Sequence, residues 1–195
     1  MDLPVRLASS LLCAALLAGC DGSVEPSEAD LANARAATQE FGAELKGHLV
    51  AAIKASGPQG AVGVCKIAAP AVAEDVSDRQ GVSIARTSLK VRNPGNAPDE
   101  WERKVLEDFV ARNDSGEDAT RMESWTVTKD KATGVQVLRY MKAIPTQKVC
   151  TLCHGKAISE PVREALAADY PDDRATGFEV GDIRGAFTVK MALTQ

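Results

Sequence analysis

The sequence predicts an α+β fold: one domain in which two long N-terminal helices precede short strands mixed with shorter helices. Two observations carry that reading. Apolar residues recur at alternating steps of three and four through residues 28–80, and they switch to period two in several short runs after residue 82. No internal repeat and no second linker divides the chain. Its 195 residues, 45% of them hydrophobic, are ample for one core.

The first helix is expected from Glu28 to about Ala55, with Leu31, Ala34, Thr38, Phe41, Leu45, His48, Ala52 and Ala55 along one stripe. Ser56-Gly57-Pro58 ends it. A second helix over Gln59–Gln80 places Ala61, Val64, Cys65, Ala68, Val72 and Val76 on a common side. Pro70 inside it removes the bond to the Lys66 carbonyl, so a kink is expected just after Cys65. Val82–Arg86 reads as a strand, and Asn93-Pro-Gly-Asn-Ala-Pro98 as a rigid turn-rich loop. A third helix, Asp99–Arg112, carries Trp101, Val105, Leu106 and Phe109. Trp125–Thr128 and Val135–Tyr140 flank Lys-Ala-Thr-Gly as a hairpin. A helix at Pro161–Asp169 and a final strand at Ile183–Leu193, with Phe187, Val189 and Met191 alternating, complete the chain.

Composition narrows the chemistry. Lys and Arg total 23 against 27 Asp and Glu, a net charge of −4, which argues against an extended nucleic-acid surface. Only His48 and His154 are present, too few for most His-rich metal sites. Aromatic residues are 4%, so the core is filled by aliphatic side chains or by something other than protein.

The N-terminus reads as an export signal. Arg6 precedes the apolar run Leu7–Leu17, too short to span a bilayer, which needs roughly 20 residues. Leu17-Ala-Gly-Cys20 resembles the bacterial lipoprotein signal, cut before a cysteine that is then lipidated. A plain signal peptide with Cys20 incidental is the alternative. The expected organisation is a signal over 1–19, a polar tether over 20–27 and one domain over 28–195. Asp21 slightly favours retention at the inner membrane, so the mature chain is expected on the periplasmic side of a membrane.

Cys150-Thr-Leu-Cys-His154 is the attachment pattern for c-type haem. Two thiols three positions apart can reach the vinyl groups on one porphyrin edge, and the adjacent histidine can give an axial imidazole. Chains of this composition show the pattern by chance about once in a thousand. Thioether formation needs an oxidising compartment, which the export signal supplies independently. One covalent haem c is therefore expected, and it would also fill an aromatic-poor core. A redox CxxC pair usually sits at a helix N-terminus within a βαβ context, and no buried parallel strand precedes Cys150. A zinc site of Cys65, Cys150, Cys153 and His154 has the right count, but neighbours Cys153 and His154 rarely converge on one tetrahedral ion.

The other face of the iron is less determined. Removing Cys13 with the signal, lipidating Cys20 and attaching Cys150 and Cys153 leaves Cys65, either an iron thiolate or a buried small hydrophobe. His48 on its apolar stripe, Met141 at the end of a strand pattern, and an open or water-bound site are the alternatives. Arg86, Arg92 and Arg184 lie near turns and strand ends, where they could pair with the two propionates or simply face water.

Several segments together resemble a family of c-type haem domains long filed as a domain of unknown function. These are Gly60-Ala-Val-Gly-Val-Cys65-Lys-Ile-Ala-Ala-Pro70, Arg86–Glu102, Arg139-Tyr-Met-Lys-Ala-Ile-Pro145, Cys150–Gly155, Tyr170-Pro-Asp-Asp-Arg-Ala-Thr-Gly177 and Gly181–Phe187. Family members occur alone or as the periplasmic sensor part of histidine kinases and chemoreceptors, and a cyanobacterial haem protein typifies them. The resemblance implies a PAS-like antiparallel sheet with long N-terminal helices. It further implies His/Cys axial ligation, by His154 and Cys65, and moves His48 to the core or to a supporting position. Ala143, where relatives often carry proline, is a minor departure.

With both axial positions filled, no open site for a substrate is expected, so the chain reads as a redox-responsive haem protein rather than an enzyme. A periplasmic electron carrier and a gas binder, or weak peroxidase, that has lost its cysteine ligand are the alternatives. No signalling module follows Gln195, so a protein partner is expected to receive any signal, and the long N-terminal stripe could pair with a second copy.

Overall fold

A computed structural model describes residues 24–193. The signal segment 1–19, Cys20 and its lipidation, and Asp21 lie outside the described residues.

Helix α1 (Glu28–Gln80) starts at Ser27, whose hydroxyl accepts from the Asp30 amide while Asp30 reaches back to the Ser27 amide. The backbone leaves helical angles once, at Gly57 (φ 70°, ψ 175°), a left-handed value that glycine tolerates best. The two limbs on either side run antiparallel. The Asn33 amide donates to the Gln80 carbonyl, and Arg79 pairs with Glu40 and Glu44. Ser56-Gly57-Pro58 thus reverses the chain as expected. Helical angles run unbroken through Pro70, so the expected kink there is not a break.

Strands β1 (Ser83–Thr87), β2 (Glu123–Lys129), β3 (Gln136–Pro145) and β4 (Ile183–Ala192) form one antiparallel sheet in the order β1-β4-β3-β2. Helix α2 (Glu100–Asp114) begins at a second reciprocal cap, between Asp99 and Glu102. A single turn, α3 (Thr151–His154), and α4 (Glu160–Asp169) follow β3. The period-two residues sort onto two faces. Leu138, Tyr140, Val189 and Ile84 pack on α1 through Leu31, Ala34, Phe41, Val72 and Val76. Met141, Ala143, Ala186 and Ile183 pack on α2 through Val105, Leu106 and Phe109. The architecture is α+β, with helices on both faces of a four-stranded sheet.

The helical stripes depart from expectation toward the Gly57 end. Leu31, Ala34, Thr38, Phe41 and Ala52 are buried, but His48 and Ala55 are exposed. On the second limb Val62 and Ala69 are buried where Val64 was expected, and Val64 is 39% exposed. The reason is length. A limb of nearly thirty residues is roughly 43 Å long, whereas a ten-residue strand reaches about 33 Å. Beyond Leu45 the hairpin outruns the sheet and packs on α4 instead, through Val62 against Ile158, Val162 and Leu166.

β4 crosses β1 closely at Gly185, where a Cβ would lie 2.4 Å from the Thr87 carbonyl oxygen. That crossing delivers Arg184 beside the residues that follow β1.

Candidate functional site

The cleft lies at the end of the sheet where β1 stops and β4 starts, between the second limb of α1 and α3. Cys150, Cys153, His154 and Cys65 all line it half-buried, none in a disulfide. Cys153 packs on the cluster of Val62, Val162 and Leu166, which ties α3 to the limb that carries Cys65. Among the described residues no set of three or more His, Cys, Asp or Glu side chains is disposed to hold a bare metal ion.

His154 is held at its inner ring nitrogen. Nδ1–H donates to the Ala175 carbonyl at 2.7 Å, which leaves the Nε2 lone pair free to bind a metal. Arg184 Nε stands 3.2 Å from the same Nδ1; with the proton committed to Ala175, that contact is packing and Nε–H has no acceptor there. Burial first, and then the nearby cations Arg184 and Arg92, hold His154 well below the usual imidazole range, so the ring is neutral.

Three arginines converge on this cleft. Arg92 pairs with Asp173 at 3.0 Å, with both side chains largely buried, and donates to the Cys153 carbonyl at 2.5 Å. Arg184 donates to Ser88 Oγ and the Lys90 carbonyl. Among the described residues the Arg86 guanidinium has no ion pair or hydrogen bond; it lies 6.0 Å from the Phe41 ring. Desolvation lowers both unpaired groups, Arg86 below the usual arginine range and Arg184 to about 10. One carboxylate among three partly buried guanidiniums leaves an excess of positive charge that a dianion would offset. The two propionates of a haem are such a dianion, so the donor set fits that group: two thiols, a neutral imidazole, a third thiol and unpaired guanidiniums.

Cys65 is half-buried, facing Arg86, Arg92 and Tyr170. Burial pushes its thiol up, while Arg86 and Arg92 pull the other way. His48 and Met141, the alternatives to Cys65, lie elsewhere. His48 is exposed on the first limb, neither a core nor a supporting residue. Met141 is fully buried against α2, on the opposite face of the sheet from α1. A surface cavity of about 320 Å³, lined in part by Leu106, Val110 and Phe178, opens on the α2 side and does not include Cys65 or His154.

Sequence reasoning missed the loop that supports the histidine. Asp173, Ala175 and Phe178 all touch the site: Phe178 stands edge-on to the His154 ring at 6.4 Å, and its amide donates to the His154 carbonyl. For Asp173 and Ala175 the signal was within Tyr170–Gly177, which matched as a segment without a role for any residue in it; Phe178 follows directly after it.

The domain is antiparallel α+β, and CxxCH, a third cysteine and an arginine cluster lie at one corner of its sheet. A family model described as Tll0287-like matches residues 23–192, and the chain belongs to that family. The crystal structure of the cyanobacterial heme-protein Tll0287 is 24% identical and superposes with a TM-score of 0.61, covering 87% of this chain and 99% of that one. That likeness establishes the fold. Comparison with curated proteins finds no significant match.

Proposed function

We propose that the chain is an exported, single-haem c-type protein, tethered to the membrane through Cys20 and serving as a redox-responsive sensor for a protein partner. One observation carries the reading: CxxCH, Cys65 and a charge-unbalanced arginine cluster share one cleft although they lie up to 119 positions apart in sequence. Family membership, and the heme named for the Tll0287 protein, support it independently.

In this reading Cys150 and Cys153 would hold the haem through thioethers, and His154 Nε2 and Cys65 Sγ would bind its iron. Arg86 and Arg184 face the propionates. Bound there, the haem supplies one-electron iron chemistry. The chain supplies the rest. Ala175 fixes the imidazole tautomer, and the Val62–Leu166 cluster shields one side from water. Cys65 is the adjustable element: burial favours its proton, and the flanking arginines favour its thiolate. Loss of that sulfur as a donor in one oxidation state would be the kind of two-state element sensors use.

The test is the optical and EPR spectra of ferric and ferrous protein, with and without carbon monoxide, for wild type and Cys65→Ala. A ferric spectrum changed by the substitution, together with carbon monoxide binding only to the ferrous form, supports the sensor. Unchanged ferric spectra remove Cys65 as a ligand. Both axial ligands retained in both oxidation states favour a periplasmic electron carrier.

A further inference from the structure

Of the three arginines in the cleft, Arg92 alone carries an ion pair, and its partners all belong to the support of His154. Its Nε donates to Asp173 Oδ2 at 3.1 Å; its NH2 group reaches the Cys153 carbonyl at 2.5 Å and the Ala175 carbonyl at 3.4 Å. Asp173 in turn accepts the Ala175 amide on Oδ1 at 2.8 Å. Ala175 is completely buried, and its carbonyl is the acceptor of His154 Nδ1–H. The backbone closes the arrangement: Arg174 N–H donates to the Val91 carbonyl and Gly177 N–H to the Gly155 carbonyl. Three segments separated by 61 and 81 positions are thus locked by one ion pair, and the residue at its centre is the one that orients the imidazole.

We infer that Arg92 and Asp173 form a positioning clamp for His154, one that holds the ring and sets the charge felt at its metal, rather than a propionate contact. The inference rests on the haem reading above. Arg92 was expected among the propionate partners; its Nε and Nη2 are instead held by protein acceptors, Asp173 among them, while neither Arg86 nor Arg184 has a carboxylate partner among the described residues. Two consequences follow from the chemistry. A fixed cation beside the axial ligand favours the lower-charged ferrous state, and a fixed carboxylate disfavours it. Lysine keeps the charge but, as a compact ammonium, cannot span three acceptors in a planar fork.

The experiment uses full-length holoprotein, its covalent haem verified by mass. The ferrous-to-ferric ratio is read at a fixed applied potential, and backbone amide exchange is followed in a peptide containing Ala175. Arg92→Gln is expected to lower the ratio about threefold to tenfold and Asp173→Asn to raise it by a similar factor. Arg92→Lys keeps the ratio within about twofold of wild type yet speeds Ala175 exchange at least about tenfold, which separates charge from position. The inference is overturned if Arg92→Gln and Asp173→Asn move the ratio in the same direction or leave it unchanged. It is equally overturned if Arg92→Lys exchanges like wild type. A chain whose mass shows no haem sinks the reading of the site, and the exchange result alone then decides the clamp.

Discussion

The β2 edge of the sheet and the cleft at its other corner use the same residue types to opposite ends. At the edge, Arg35 forks onto both oxygens of Glu123, which also accepts from the buried Tyr140 hydroxyl at 2.7 Å. Arg35 and Glu123 offset each other there, and Arg35 in turn is raised above the ordinary arginine range. In the cleft, of three guanidiniums only Arg92 has a carboxylate partner, Asp173, and the other two are lowered by desolvation. A satisfied network stabilises the fold; an unsatisfied one at a half-exposed position leaves free energy for a ligand to recover. The comparison teaches where to look for binding: at charges the fold has not already neutralised.

The largest effect expected in the cleft is qualitative. Cys150→Ala with Cys153→Ala removes both attachment thiols, and mass spectrometry of the mature protein is expected to find no covalent haem. In the core, Phe109→Ala empties a fully buried site between α2 and the sheet. It is expected to cost about 3–5 kcal/mol in denaturant unfolding without moving the haem spectrum.

Glu123→Gln tests the satisfied edge. Loss of the forked pair is expected to cost about 1–2 kcal/mol. The sign with pH follows from the direction of the shift. Arg35, and then Tyr140, hold the Glu123 carboxyl below the usual carboxylate range. The folded carboxylate's contribution is therefore complete above that range and is lost as pH falls through the lowered value. The substitution should flatten the acid limb of the stability curve recorded by thermal melts between about pH 2 and 5.

Arg86→Gln sharpens the comparison from the other side. Removing an unpaired, desolvated cation is expected to leave the haem-free chain as stable as before or more stable, by up to about 1 kcal/mol, while shifting the potential of the holoprotein. Equal destabilisation of both forms would place Arg86 with the structural charges. The smallest effect is expected at His48→Ala. The residue is exposed, so stability should change by less than about 0.5 kcal/mol and ferric spectra not at all.

Local order was legible in the sequence. Gly57-Pro58 reverses α1, Asp99 caps α2, and the alternation of Phe187, Val189 and Met191 gives β4 its face toward α1. His48 was misread because its stripe position assumes a partner under every turn, and the sheet ends before the helix does. Met141 sits in its strand pattern, but which sheet face it takes depends on where α2 packs. Arg92 reads like its two neighbours in composition and differs only in what lies beside it.

By itself, the sequence determined the α+β class, the order of elements and the CxxCH attachment pattern, because each depends on residues within a few positions of one another. Which arginine is paired and which are not, and that His48 is exposed and Met141 buried against α2, only the tertiary structure decided. Burial and charge pairing are properties of neighbours in space, and those neighbours come from segments 61 to 81 residues apart.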